Sequence, residues 1–219
     1  MLVGARSRKL HFIFWPPQQA KVVDGIPVMQ RMTERGWQNS LFQSGFKADI
    51  AFYGNSITYN GQFHQYFPDY TVCNLGLPGD DLNGLIRRIS MLRIVEPKKV
   101  FVMGGINGSK GIPLESFSHV YDSLVTCLCD SLPQTEIYLQ SLLPVNHRVY
   151  DTYADNPKIC QLNDSIRQIA NRHHLTYVDL YSLYAIDGEM PDSLTRDGIH
   201  LKPIQYARWA DAIRKYVYE

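Results

Sequence analysis

The chain has 219 residues, 45% hydrophobic and 20% charged, with a net charge of +1. That length and apolar content suit one globular domain with a sizeable core. The near-neutral balance gives no electrostatic basis for a nucleic-acid or anionic-membrane partner, and no apolar run is long enough to span a bilayer.

Arg6, Arg8 and Lys9 precede Leu10–Trp15 and Pro16-Pro17, imitating the start of a secretion signal. The apolar run is too short and no small-residue cleavage site follows, so no export signal is expected and the compartment stays open. Val22–Val28 contains Gly25 and Pro27 and reads as an irregular or edge segment. Met29–Phe42 has helix-forming composition, with Met32, Trp37 and Leu41 able to dock. Residues 1–47 are therefore expected to form a lead-in segment packed on a domain spanning 48–219.

From Ala48 onward the pattern is regular. Ile50–Tyr53 predicts a buried strand, stopped by Gly54 and followed by Asn55, Ser56 and Thr58, residue types that cap helices. A short helix is expected over Gly61–Phe67, closed by Pro68, and a second strand over Tyr70–Leu75. Leu82, Leu85, Ile86, Ile89 and Leu92 recur at three- and four-residue intervals, predicting one amphipathic helix capped by Asp80 or Asp81. Val100–Met103 predicts a third strand, Pro113–Asp130 a long helix with Pro113 in its first turn, and Ile137–Leu139 a fourth strand. The polar loop Val145–Asn156 suits a binding rim. Ile159, Leu162, Ile166 and Ile169 mark a helix ending near His173-His174, Tyr177–Leu180 a fifth strand, and Pro203 opens a last helix carrying Tyr206, Trp209, Ile213 and Val217. Strands alternating with helices imply parallel pairing and right-handed crossovers. The expected fold is an α/β, three-layer α/β/α sandwich around five parallel strands.

Four stretches at or after predicted strand ends carry residues suited to acyl chemistry: Gly54-Asn55-Ser56, Asn74-Leu75-Gly76, Gly104-Gly105-Ile106-Asn107 and Asp197-Gly198-Ile199-His200. A serine hydroxyl needs a base within hydrogen-bond reach. His200 suits that work, and Asp197, three residues earlier, can fix its tautomer. An oxyanion needs donors, and the backbone N–H of Gly76, the amide of Asn107 and the N–H of Ser56 are the candidates. Taken singly, Ser56 is equally a helix cap, Asp197 a cap of the last helix, and the glycine stretches ordinary turns. In this order, each beside a strand end, they point to one site.

These blocks resemble those of the SGNH hydrolase superfamily, the GDSL-type esterases and lipases. Ser56, Gly76, Asn107 and His200 match its four named residues, with Asp197 as the Asp of the last block, over a region from Ala48 to the C-terminus. The resemblance implies a flavodoxin-like sheet of strand order 2-1-3-4-5 and serine-dependent ester hydrolysis with no metal or other cofactor. It further implies Ser56, His200 and Asp197 as catalytic residues and Ser56, Gly76 and Asn107 as the oxyanion hole. Two positions depart from the pattern: Asn55 stands where the family has Asp, and Gly108 follows Asn107 where the family has Asp. Gly54–Thr58 and Leu143–Asn146 look most like acetylhydrolase and sialate O-acetylesterase relatives, which implies an acetyl ester, plausibly on carbohydrate. A lysophospholipase or thioesterase, or a weakened member that binds glycans without cleaving them, are the competing readings.

The remaining chemistry-bearing residues carry plainer expectations. Cys127-x-Cys129 lacks the two-residue gap of zinc and thioredoxin motifs, and with only Cys73 and Cys160 beside it, buried helix thiols are expected rather than a metal or disulfide. His64 and His119 are expected on helix surfaces, His173-His174 at a helix C-terminus, and His147 on the pocket rim. The oligomeric state is not readable.

Overall fold

The computed structural model describes residues 22–23, 26–27, 36, 38–149 and 155–219. The chain divides into two compact units, Met1–Trp37 and Gln38–Glu219. In the first, Val22–Val23 (β1) and Ile26–Pro27 (β2) pair antiparallel, where an irregular or edge segment is predicted. The signal-like run, Met32, Trp37 and most of the predicted lead-in helix lie outside the described residues. So does the 150–154 part of the predicted rim loop.

The second unit opens with a helical stretch over 38–44 (α1), which Gln38 ties to Ser90 Oγ at 2.9 Å. Its centre is a five-stranded parallel sheet of Ile50–Gly54 (β3), Val72–Gly76 (β4), Lys99–Met103 (β5), Glu136–Gln140 (β6) and Thr176–Val178 (β7), ordered β4-β3-β5-β6-β7. That is the 2-1-3-4-5 order expected. β3 is buried along its whole length, which its continuous apolar run dictates. In register, Gly54 lies opposite both Gly76 and Met103. The turns leaving β3, β4 and β5 therefore start at one level. This single fact brings distant blocks of sequence together.

One face of the sheet is an aromatic layer. Phe52 pairs in register with Phe101, and Phe101 with Tyr138. Their ring centroids are 5.4 Å and 4.7 Å apart. Phe63 stacks on Phe52 at 3.6 Å and meets Trp209 edge-on at 5.2 Å. Trp209 belongs to the last helix, Tyr206–Tyr218 (α8), so the C-terminus closes this face. Truncating a buried ring such as Phe101 to Ala costs roughly 3–5 kcal/mol in general. The other face carries Leu82–Arg87 (α3), Leu114–Ser131 (α5) and Asn156–Arg172 (α6), with α3 packed on α5 and α5 on α6.

The structure departs from the predicted elements in four places. The helix after β3 starts at once, at Ser56–Tyr59 (α2), and Phe63–Gln65 is only a 3-10 turn. The predicted helix across Leu82–Leu92 is two, α3 and Ser90–Val95 (α4), because Arg88 leaves helical geometry (φ −109, ψ 18) as its side chain turns into the core. Asp81 caps α3 through Gly84 N–H at 2.7 Å, while Asp80 pairs with Arg88. Pro113 is the N-cap of α5 rather than a first-turn residue, and the predicted fifth strand stops at Val178, with an unpredicted short helix, Tyr181–Tyr184 (α7), starting after Leu180.

Candidate active site

Ser56 is the first residue of α2, and its position follows from the turn before it. Asn55 is extended (φ −97, ψ −152) and its Oδ1 accepts from Ile57 N at 2.9 Å, so it is the helix N-cap. Asn and Asp cap equally well. The Asn55 departure therefore preserves the turn, and its cap bond needs no charge. At the other end of the chain, a tight turn builds the partner. Asp197 Oδ1 accepts the backbone N–H groups of His200 (2.8 Å) and Ile199 (3.2 Å), and Thr195 Oγ1 donates to the His200 carbonyl at 2.8 Å. Asn146, in the loop leaving β6, holds the turn by donating to Gly198 O at 2.8 Å.

The turn and α2 meet in one relay. His200 Nδ1 lies 2.7 Å from Asp197 Oδ2, and His200 Nε2 lies 2.8 Å from Ser56 Oγ. With a carboxylate facing Nδ1, the imidazole proton belongs there, leaving Nε2 to accept from the Ser56 hydroxyl. Burial pushes the Asp197 carboxyl up, but the His200 backbone N–H, the His200 ring and the Ile199 N–H outweigh it. The net effect holds it below its usual range. Tyr206 Oη donates to Ile57 O at 2.6 Å and so fastens α8 to the helix that carries Ser56.

One of the oxyanion candidates read from the sequence is already bonded in the structure. The N–H of Gly76 donates to Asn74 Oδ1 at 2.9 Å and is not free to meet an oxyanion. Gly76 is instead a packing glycine, since a Cβ there would overlap the backbone of Tyr59 in α2. Three residues on, Gly79 adopts φ +81, a left-handed conformation that favours glycine. Among the described residues its N–H donates to no backbone or side-chain group, and neither does that of Ser56. Gly79 directly precedes Asp80, whose carbonyl accepts one proton of the Asn107 amide at 2.7 Å and leaves that amide a second. Sequence could offer two glycines at and after the end of β4. Only the backbone conformation separates the one packed on α2 from the one whose N–H is uncommitted.

A cavity of about 210 Å³ opens beside Asn107, lined by Leu82, Gly105, Gly108, Phe117 and Val120 among others. Gly108 adds no side chain to it, so the second departure from the family pattern widens this space rather than blocking it. A cavity of about 330 Å³ lies between the loops after β6 and β7, with His147, Cys160 and Tyr181 in its wall. His147 Nε2 there accepts from Asn156 N at 3.1 Å. His64 and His119 are exposed, and His173 meets Asp122 at 3.0 Å, Arg172 beside it. Cys127 and Cys129 lie on α5 half-buried, more open than predicted, because the helix turns them away from its inner face of Phe117, Tyr121, Leu124 and Leu128. Among the described residues no group of three metal-ligating side chains occurs, and no helix is long and apolar enough to cross a membrane.

A model of the GDSL-like lipase/acylhydrolase family matches residues 39–208. The chain belongs to that family. It is accordingly an ester-hydrolysing enzyme of the GDSL type, with the α/β fold that goes with it. No curated protein matches the sequence. Among solved structures, a Streptococcus pneumonia protein provisionally described as a platelet activating factor is 22% identical with a TM-score of 0.78, over 86% of this chain and 92% of that one. A GDSL-like lipase from Bacteroides thetaiotaomicron is 16% identical, TM-score 0.68, over 84% and 97%. An acetyl xylan esterase is 19% identical, TM-score 0.65, over 77% and 98%. At such identities the likeness speaks for the fold of this GDSL-family chain.

Proposed function

We propose that this GDSL-family hydrolase removes short acyl groups, foremost acetyl, from carbohydrate esters, with Ser56 as nucleophile. The observation that carries the mechanism is the relay from Ser56 Oγ through His200 to Asp197, at 2.8 and 2.7 Å. In the first half-reaction Ser56 Oγ bonds to the ester carbonyl carbon as its proton passes to His200 Nε2. The carbonyl electron pair moves onto oxygen, where the N–H groups of Ser56 and Gly79 and the Asn107 amide receive it. Collapse expels the alcohol, which takes the proton from His200. Water then attacks the acyl-serine by the same route in reverse, with His200 as base, releasing the acid and restoring Ser56. Asp197 keeps the imidazole in the required tautomer and balances its transient charge. The acetyl guess rests on the sequence likeness of Gly54–Thr58 and Leu143–Asn146 to acetylhydrolases, and an acetyl xylan esterase shares the fold.

One observation favours the lysophospholipase or thioesterase reading. Leu114, Val149, Ile186 and Ile204 are exposed apolar side chains on segments that follow β5, β6, β7 and the His200 turn. Exposed apolar side chains on the segments leaving that end of the sheet suit a longer acyl chain better than a sugar. The test is turnover of p-nitrophenyl acetate against longer p-nitrophenyl esters and acetylated sugars, with labelling by a serine-directed fluorophosphonate and Ser56→Ala as control. Acetyl preference, with labelling and turnover both lost in Ser56→Ala, is the expected result. Rates that climb with chain length would favour the lipid reading, and wild-type protein that neither turns over nor labels would leave a glycan binder.

A further inference from the structure

We propose that Arg88 is a positioning residue for the oxyanion donors, a buried strut that holds the ends of β3 and β4 and the segment 77–81 in register with Asn107; this rests on the esterase reading above. Arg88 is 2% exposed and Asp80 is 0% exposed. Three arms of the guanidinium are committed: Nε to Asp80 Oδ2 at 2.5 Å, Nη1 to Leu75 O at 2.7 Å and Nη2 to Gly54 O at 2.7 Å. Its carbon lies 4.3 Å from the centroid of the Tyr53 ring, and Tyr53 Oη donates to Leu85 O one turn earlier in α3.

Each acceptor lies within four residues of a proposed donor. Gly54 stands two residues before Ser56, and Leu75 and Asp80 bracket Gly79. The Asp80 carbonyl, in turn, accepts the Asn107 amide at 2.7 Å. Gly54 O is gripped a second time by Leu77 N–H at 2.9 Å. One rigid planar cation thus bonds Gly54, two residues before Ser56, and Asp80, which follows Gly79 and accepts the Asn107 amide.

Stability is a poor explanation for this arrangement. The desolvation penalty of a buried ion pair can exceed its Coulombic gain, and well-packed apolar residues often replace such pairs without loss. The chain also interrupts an otherwise continuous apolar helix pattern at Arg88 to seat the side chain. What a guanidinium supplies, and a leucine does not, is a fixed fork that sets several acceptors in one plane. Donors that need not reorganise as charge develops are what make an oxyanion site effective.

The test uses Arg88→Met, Arg88→Lys and Asp80→Asn in the full chain. Three quantities are read: kcat and KM on p-nitrophenyl acetate, inhibition by phenylboronic acid, and hydrogen exchange at the Leu77 and Asp80 amides. The boronate adds to serine as a tetrahedral anion, and the two amides bond Gly54 O and Leu77 O in the wild type. In Arg88→Met, kcat should fall about 10- to 100-fold with KM within roughly threefold, and boronate inhibition should weaken in parallel. Exchange at Leu77 and Asp80 should accelerate while that of β6 does not. Arg88→Lys, which keeps the charge without the fork, should recover part of the loss. A variant with lowered Tm but unchanged kcat and boronate inhibition overturns the proposal, as does unchanged exchange at the two amides. If Arg88→Met does not fold, Arg88→Lys and Asp80→Asn carry the same signs. Should the wild type fail to label at Ser56, the esterase reading falls, while the exchange measurement still decides whether Arg88 holds this segment.

Discussion

The two ends of the central sheet use ion pairs differently. Where the strands begin, Lys98 meets Asp49 at 2.8 Å and Lys47 meets Glu96 at 2.8 Å, with the two lysine side chains 79% and 55% exposed. Where the strands finish, Arg88 and Asp80 are sealed from solvent. The first kind is screened by water and contributes little to stability. The second kind costs desolvation and yields fixed geometry. The aromatic layer packs the sheet between the two ends, and the candidate site lies at the finishing end.

The contrast can be broken from the chemical end first. Ser56→Ala is the extreme case, with a loss on the order of 10⁴-fold or more in kcat and little change in Tm. Asn107→Ala should lower kcat about 10²- to 10³-fold with KM nearly unchanged, measured on p-nitrophenyl acetate. A comparable rise in KM instead would mean that Asn107 binds substrate rather than the oxyanion.

The pH profile sharpens the same comparison. The Asp197 carboxyl is held below its ordinary range, so its stabilising contribution is full above about pH 3.9 and fades as pH falls through the lowered value. The acid limb of kcat/KM should then show a single step, since a protonated imidazole can no longer accept from Ser56. A second inflection near pH 4 to 5 would contradict the depressed carboxyl. The mildest effect belongs to the opposite end. The Lys98 side chain and the Thr71 N–H hold the Asp49 carboxyl low, yet the carboxyl is only half-buried and the lysine exposed. Asp49→Asn should cost no more than about 1 kcal/mol in urea unfolding and leave kcat within twofold.

Much of this was readable from the sequence because the signals were local. β3 announces itself as an apolar run, α5 and α6 by their spacing, and the last block by an Asp and a His three residues apart. What escaped was decided by tertiary context. Leu82 to Leu92 keep a helical rhythm across Arg88, and the break appears only because Gly54 and Leu75 offer carbonyls to its side chain. Gly76 and Gly79 look alike in a sequence. One is pressed against α2 and the other turns left-handed. α7 hides in a segment whose Tyr, Ser and Leu suit a strand end as well as a helix.

The relay has a consequence in time as well as in space. Asp197 and His200 are three residues apart and find each other within their own turn, whereas His200 and Ser56 are separated by 144 residues. Joining the second pair means closing most of the chain, a contact of the long-range kind that slows folding. It also requires α8 to dock, through Tyr206 on Ile57 and Trp209 on Phe63. Recovery of hydrolysis during refolding is therefore a clock for the arrival of the C-terminal helix, running behind any probe that reports only on helix content.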